Sequence, residues 1–182
     1  MHFIIKSNIK LWETKIHAHS GGTIGFASTY FVTICTYQRR HYFGKIEDGV
    51  MMKNELGNLV DEEWLKTTEK RKDMDIQLDN FIVMPNHFHA IITIRDNEFN
   101  SNEKIVNQST RTKNNAKSLG SIIRGFKGSV TKQAKTIANF KWQKGYHDHI
   151  IRSKESFFKI ANYIENNPQN WEEDRFWKKE LG

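Results

Sequence analysis

Apolar residues recur along this chain with two periods, and the switches between them mark its elements. Tyr30-Phe31-Val32-Thr33-Ile34-Cys35-Thr36-Tyr37 is rich in β-branched and aromatic residues, which predicts a strand running into the basic cluster Gln38-Arg39-Arg40-His41. From Val50 to Lys70 the period lengthens: Met52, Leu56, Leu59, Val60 and Trp64 fall three or four apart, which predicts an amphipathic helix. Met74 to Met84 returns to strand character, and His87 to Ile94 repeats it after Pro85-Asn86, a turn dipeptide. The two runs read as an antiparallel hairpin.

Leu119, Ile122, Ile123, Phe126 and Val130 restore helical spacing over Leu119 to Lys135. Short strand-like pieces follow at Phe140 to Gln143 and Tyr146 to Ile151. Ser153 then caps a last helix whose apolar face is Phe157, Phe158, Ile160, Ala161 and Ile164, and Pro168 ends it. Two stretches stand outside this pattern: the N-terminal arm 1–28, with the break Gly21-Gly22, and the polar insertion 95–117. Residues 29–168 therefore read as one domain and 169–182 as an acidic, aromatic tail.

Charge narrows the partners. The formal net charge of +7 favours a polyanion, and nucleic acid before a membrane surface. No Asp or Glu occurs from Lys104 to His147, a stretch that includes Arg111, Arg124, Lys127, Lys132, Lys135, Lys141 and Lys144. So long a basic run without an acid fits phosphate binding better than a solvated face. The single cysteine, Cys35, excludes an intrachain disulfide and reads as a small core residue. No segment reaches transmembrane length and the first residues lack a signal peptide's long apolar core, so a reduced, cytoplasmic setting is expected.

The histidine strand carries the candidate chemistry. Alternation places His87 and His89 on one face and Phe88 on the other. Many His-x-His pairs on strands bind nothing. This pair interrupts an apolar run, where polarity is costly unless it is used or paired, and two neutral imidazoles so spaced can converge on one divalent ion. On the last helix, Tyr163 and Asn167 are four residues apart and share a face. A tyrosine nucleophile suits strand transfer on DNA, because a phosphotyrosine conserves the energy of the cut phosphodiester.

Four blocks, in order, resemble a known family. Met84-Pro85-Asn86-His87-Phe88-His89-Ala90-Ile91-Ile92 is similar to the His-hydrophobic-His (HUH) signature of the single-tyrosine transposases. Ser121 to Lys127, Trp142 to Arg152 and Tyr163-Ile164-Glu165-Asn166-Asn167-Pro168 resemble the later blocks of their REP-associated branch, the IS200-like transposases found with REP elements. The resemblance spans roughly Tyr30 to Pro168. It implies an α+β fold, with a central antiparallel sheet of four or five strands and helices packed on it, a ferredoxin-like or RRM-like core. It implies a Mg²⁺- or Mn²⁺-dependent endonuclease and strand transferase acting on single-stranded or hairpin DNA, as a monomer or homodimer. His87 and His89 match the family's metal ligands, Tyr163 its nucleophile and Asn167 its third ligand position. Asn167 precedes a proline, which biases it away from helical geometry. His149 matches a recurrent histidine of open role. Arg39, Arg40, Arg124, Lys127 and Arg152 are candidate phosphate contacts by charge. Two rival readings remain: a hairpin-binding protein derived from a transposase but without catalysis, and an unrelated hydrolytic metalloenzyme with water as its nucleophile.

Overall fold

The computed structural model of the protein describes residues 28–95 and 118–177. The arm as far as residue 27 and most of the polar insertion, 96–117, lie outside the described residues. The fold is α+β. Its main sheet is four-stranded and antiparallel, built from β1 (Ser28–Cys35), β4 (Asp75–Met84), β5 (His87–Arg95) and β6 (His147–Ile151) in the order β4-β5-β1-β6. The histidine strand β5 is therefore internal, paired on both sides.

Alternation on β1 and β5 divides the core between the two faces of the sheet. Val32, Ile34, Phe88, Ala90 and Ile92 point to one face, where α1 (Glu55–Leu65) and α3 (Leu119–Ala134) cover them. Trp64, Phe88 and Phe126 meet there with ring centroids 5.0 to 5.3 Å apart. Each such aromatic contact adds about 0.5–1.5 kcal/mol beyond area burial. The opposite face carries Phe31, Ile91 and Ile151, packed by Phe157, Ala161 and Ile164 of α4 (Lys154–Asn166).

Two sequence expectations fail. Phe140 to Gln143 forms no strand, only an isolated antiparallel bridge between Trp142 and Thr36. Val50 to Lys70 is not a single helix: Val50–Lys53 is a strand, β3, paired antiparallel with β2 (Gly44–Glu47) in a separate hairpin. Its turn is Asp48-Gly49, both with positive φ (50° and 72°), the backbone that a two-residue hairpin turn needs. Met52 and Leu56 stand at helical spacing by coincidence. The helix starts only after Asn54, whose side-chain oxygen caps it by accepting from Gly57 N–H. Gly57, costly in a helix interior, is needed here because a Cβ would stand 2.3 Å from the Phe43 carbonyl oxygen. A short second helix, α2 (Thr67–Lys70), follows. Ser153 caps α4 as expected, and Ser118 caps α3, each accepting a main-chain N–H three residues on.

Candidate metal centre and nucleophile

Register places the two histidines. His87 lies opposite Cys35 and His89 opposite Thr33, all four on the α4 face of the sheet. Both imidazoles are fully buried, with their rings 4.4 Å apart. Each Nδ1 has a partner: Asn86 Oδ1 at 2.9 Å for His87 and the Thr33 hydroxyl at 2.8 Å for His89. The Nε2 atoms are thereby left to face a common point. His87 Nε2 is buried with no hydrogen-bond partner, and so is Asn167 Oδ1.

The C-terminal segment closes the far side of this point. Beyond α4 the chain makes a short 3-10 turn, Trp171–Glu173, that delivers Asp174. Asp174, His87 and His89 each offer a ligand atom within 4.8 Å of the others. Oδ2 of Asp174 accepts from Tyr163 at 2.6 Å and from Asn167 Nδ2 at 2.7 Å, while Oδ1 accepts from the Phe176 N–H at 2.6 Å. The Tyr163 hydroxyl is also 3.3 Å from His89 Nε2. Phe176 packs over both imidazoles, at 4.8 and 5.5 Å between ring centroids. The guanidinium groups of Arg39 and Arg175 stand 4.3 and 4.5 Å from its ring centre.

Burial, then the charge of the neighbouring imidazole and of Arg39, holds His87 well below the usual histidine range. Burial brings His89 down to about 3 despite the opposing Asp174 carboxylate. Both rings are therefore neutral near pH 7, the form that ligates a metal. Two imidazole nitrogens, a carboxylate and an unpartnered amide oxygen fit a divalent cation, and this cluster is capable of coordinating one. The Tyr163 phenol is pushed up from its ordinary value by burial and by its bond to Asp174, so it is protonated at neutral pH.

The structure gathers Tyr163, His87, His89, Asn167 and Arg39 into this one site. Asn167 is buried and, against the bias set by Pro168, keeps helical dihedrals (φ −56°, ψ −41°), its N–H bonded to the Ile164 carbonyl. Arg40 is exposed and accepts from the Thr36 hydroxyl through its carbonyl. The other charged candidates are elsewhere. Arg124 is exposed on α3, across the sheet. Lys127 on the same helix donates to the carbonyls of Gln143 and Gly145, both at 2.7 Å, so it braces that loop. His149 and Arg152 line an open cavity of about 460 Å³ beside the start of α4. Asp174 and Arg175 escaped the sequence reading. The only signal for them was aromatic residues flanking charge in the tail, Trp171 and Phe176, both of which are buried here.

No protein-family model matches the chain. An uncharacterized protein of Haemophilus influenzae is 35% identical to it over 153 residues, covering 81% of this chain and 84% of that protein. Among solved structures, a REP-associated tyrosine transposase bound to a REP hairpin superposes with a TM-score of 0.55 at 18% identity, over 84% of this chain and 73% of that one. The chain therefore belongs to the family of the Haemophilus protein and has an HUH-nuclease-like fold, the fold of that tyrosine transposase.

Proposed function

We propose that this protein is a metal-dependent endonuclease and strand transferase for single-stranded DNA flanked by a hairpin, with Tyr163 as its nucleophile. The observation that carries the reading is the position of the Tyr163 hydroxyl, bonded to Asp174 and 3.3 Å from His89 Nε2. A tyrosine serving only to fill the core edge has no need of a buried His/His/Asp cluster at its oxygen.

His87, His89 and Asp174 would hold the cation, with Asn167 Oδ1 as a further oxygen donor. The mixed nitrogen and oxygen set suits Mn²⁺ better than Mg²⁺, which prefers oxygen alone. When bound, the cation supplies Lewis-acid polarisation of the scissile phosphate and offsets charge developing on it. The chain's own residues do the rest. Asp174 takes the phenolic proton, which the raised Tyr163 pKa makes necessary. Tyr163 Oη then bonds to phosphorus as the P–O3′ bond breaks, leaving a 5′-phosphotyrosine and a 3′-oxygen that takes up a proton. Strand transfer reverses the step with a second 3′-hydroxyl. Arg39 and Arg175 place two positive charges beside the reacting phosphate.

Residues 29–168 form the catalytic domain in this reading, and the tail completes its site with Asp174. The basic residues of α3 and of the loop Phe140 to Gly145 hold flanking phosphates. Among the described residues no helix is long and apolar enough to cross a membrane. The test is incubation with a labelled hairpin-flanked oligonucleotide and Mn²⁺, followed by denaturing electrophoresis. The reading requires label that stays with the protein and is released by protease.

A further inference from the structure

Asn86 precedes His87 in the β4–β5 turn and is completely buried. Its amide nitrogen donates to two carbonyl oxygens, those of Arg39 at 3.2 Å and Phe176 at 3.0 Å. Only an NH₂ group satisfies two acceptors, so these bonds fix which way the amide points. The oxygen is then the atom that meets His87 Nδ1 at 2.9 Å. Facing an acceptor, Nδ1 must carry the hydrogen, and Nε2 must carry the lone pair. That Nε2 is the buried, unpartnered atom aimed into the cluster.

The same amide holds a strained segment. Gln38 and Arg39 are consecutive non-glycine residues with left-handed φ, 55° and 57°. Both conformations are strained, so the turn persists only where its surroundings enforce it. Asn86 does so through the Arg39 carbonyl, and the guanidinium of Arg39 stacks on Phe176 beside the histidines.

We propose that Asn86 is the positioning residue of the centre: its oxygen locks His87 in the metal-ready Nδ1–H tautomer, and its nitrogen fixes the turn that carries Arg39. This inference rests on the metal reading of His87, His89 and Asp174. It separates from that reading because the tautomer is a property of the metal-free protein.

The experiment uses the full chain labelled with ¹⁵N-histidine. Long-range ¹H–¹⁵N correlation spectra of the metal-free protein identify which nitrogen of His87 is protonated, and Mn²⁺ titration followed by electron paramagnetic resonance measures affinity. The wild-type protein is expected to show Nδ1–H at His87. Asn86→Ala is expected to give mixed or Nε2–H tautomers and about 10–100-fold weaker Mn²⁺ binding, the range typical for lost ligand-orienting partners. Asn86→Asp keeps the acceptor and loses both donors, so it should retain the tautomer and bind Mn²⁺ within a few-fold of wild type. An Nε2–H tautomer at His87 in the wild-type protein overturns the proposal, whether or not the variants fold. So does a folded Asn86→Ala protein with unchanged tautomer and affinity. An Nδ1–H signature in a protein that binds no Mn²⁺ supports the role of Asn86 and overturns the metal reading instead.

Discussion

Tyr163 donates its phenolic hydrogen to Asp174 Oδ2 over 2.6 Å. The bond joins α4 to the tail that doubles back beneath it, and it sets the proposed nucleophile, its proposed proton acceptor and a candidate metal ligand within one small volume. Asp174→Asn keeps the shape and removes the basic oxygen. Loss of a positioned general base typically costs about 10²–10⁴-fold in rate. Initial rates of strand cleavage at saturating Mn²⁺ should fall by at least about 100-fold in this variant. An unchanged rate would remove Asp174 from the mechanism.

The histidines should separate metal dependence from DNA binding. His87→Ala and His89→Ala each take one nitrogen from the cluster, so Mn²⁺-dependent cleavage should disappear while hairpin affinity stays within about threefold, the α3 surface being on the other face of the sheet. Gel-shift titration beside cleavage assays checks this. Zinc that survives dialysis in stoichiometric amount would point instead to a hydrolytic metalloenzyme.

How far the sequence foretold this site depended on distance along the chain. His87, Phe88 and His89 were legible because strand alternation alone assigns their faces, and a strand with sheet neighbours on both sides has no freedom to depart from it. Tyr163 and Asn167 were legible for the same reason on a helix. The β2–β3 hairpin was not: its strands have four residues each, too few to show a period of two, and Met52 and Leu56 imitated a helix. Its Asp48-Gly49 turn was the signal to weigh. Asp174 was out of reach because no periodicity governs the tail, and only tertiary packing of Trp171 and Phe176 against His87 brings it in.

Acid stability should report on a carboxylate far from the site. Glu63 on α1 is buried; burial raises its pKa, but bonds from Lys70, Ser129, Gln133 and Lys66 outweigh that and bring it to about 2 from 4.5. Below pH 4.5 the unfolded chain takes up a proton there that the folded protein refuses. The contribution is therefore complete above pH 4.5 and is lost as pH falls toward 2. Because both lysines are about half exposed, we expect about 1 kcal/mol by pH 3. Urea unfolding at pH 6 and pH 3 should show wild type losing about that much more than Glu63→Gln. Equal losses would mean that Glu63 is not held ionised.

DNA affinity should fall steeply with salt, and the residues of α3 should contribute differently. Arg124 is exposed on that helix, so Arg124→Glu should weaken binding to every sequence and lower the slope of log K against log salt by about one or more, with thermal stability unchanged. Lys127 holds two carbonyls, so Lys127→Glu should also lower the melting temperature. Calorimetry and salt-dependent fluorescence anisotropy distinguish the two. Binding that is insensitive to salt would remove α3 from the DNA surface.

The identity of the nucleophile is the central claim, and mass spectrometry of the trapped adduct tests it most directly. Tyr146 is the competing phenol, and it packs at the edge of the core against α3. After reaction with hairpin-flanked DNA and Mn²⁺, protease digestion should yield a nucleotide-bearing peptide modified at Tyr163. Tyr163→Phe should give no adduct while folding and binding DNA normally, and Tyr146→Phe should still give one. A modified peptide that contains Tyr146 and not Tyr163, or no adduct from a protein that nonetheless cleaves, would contradict the mechanism.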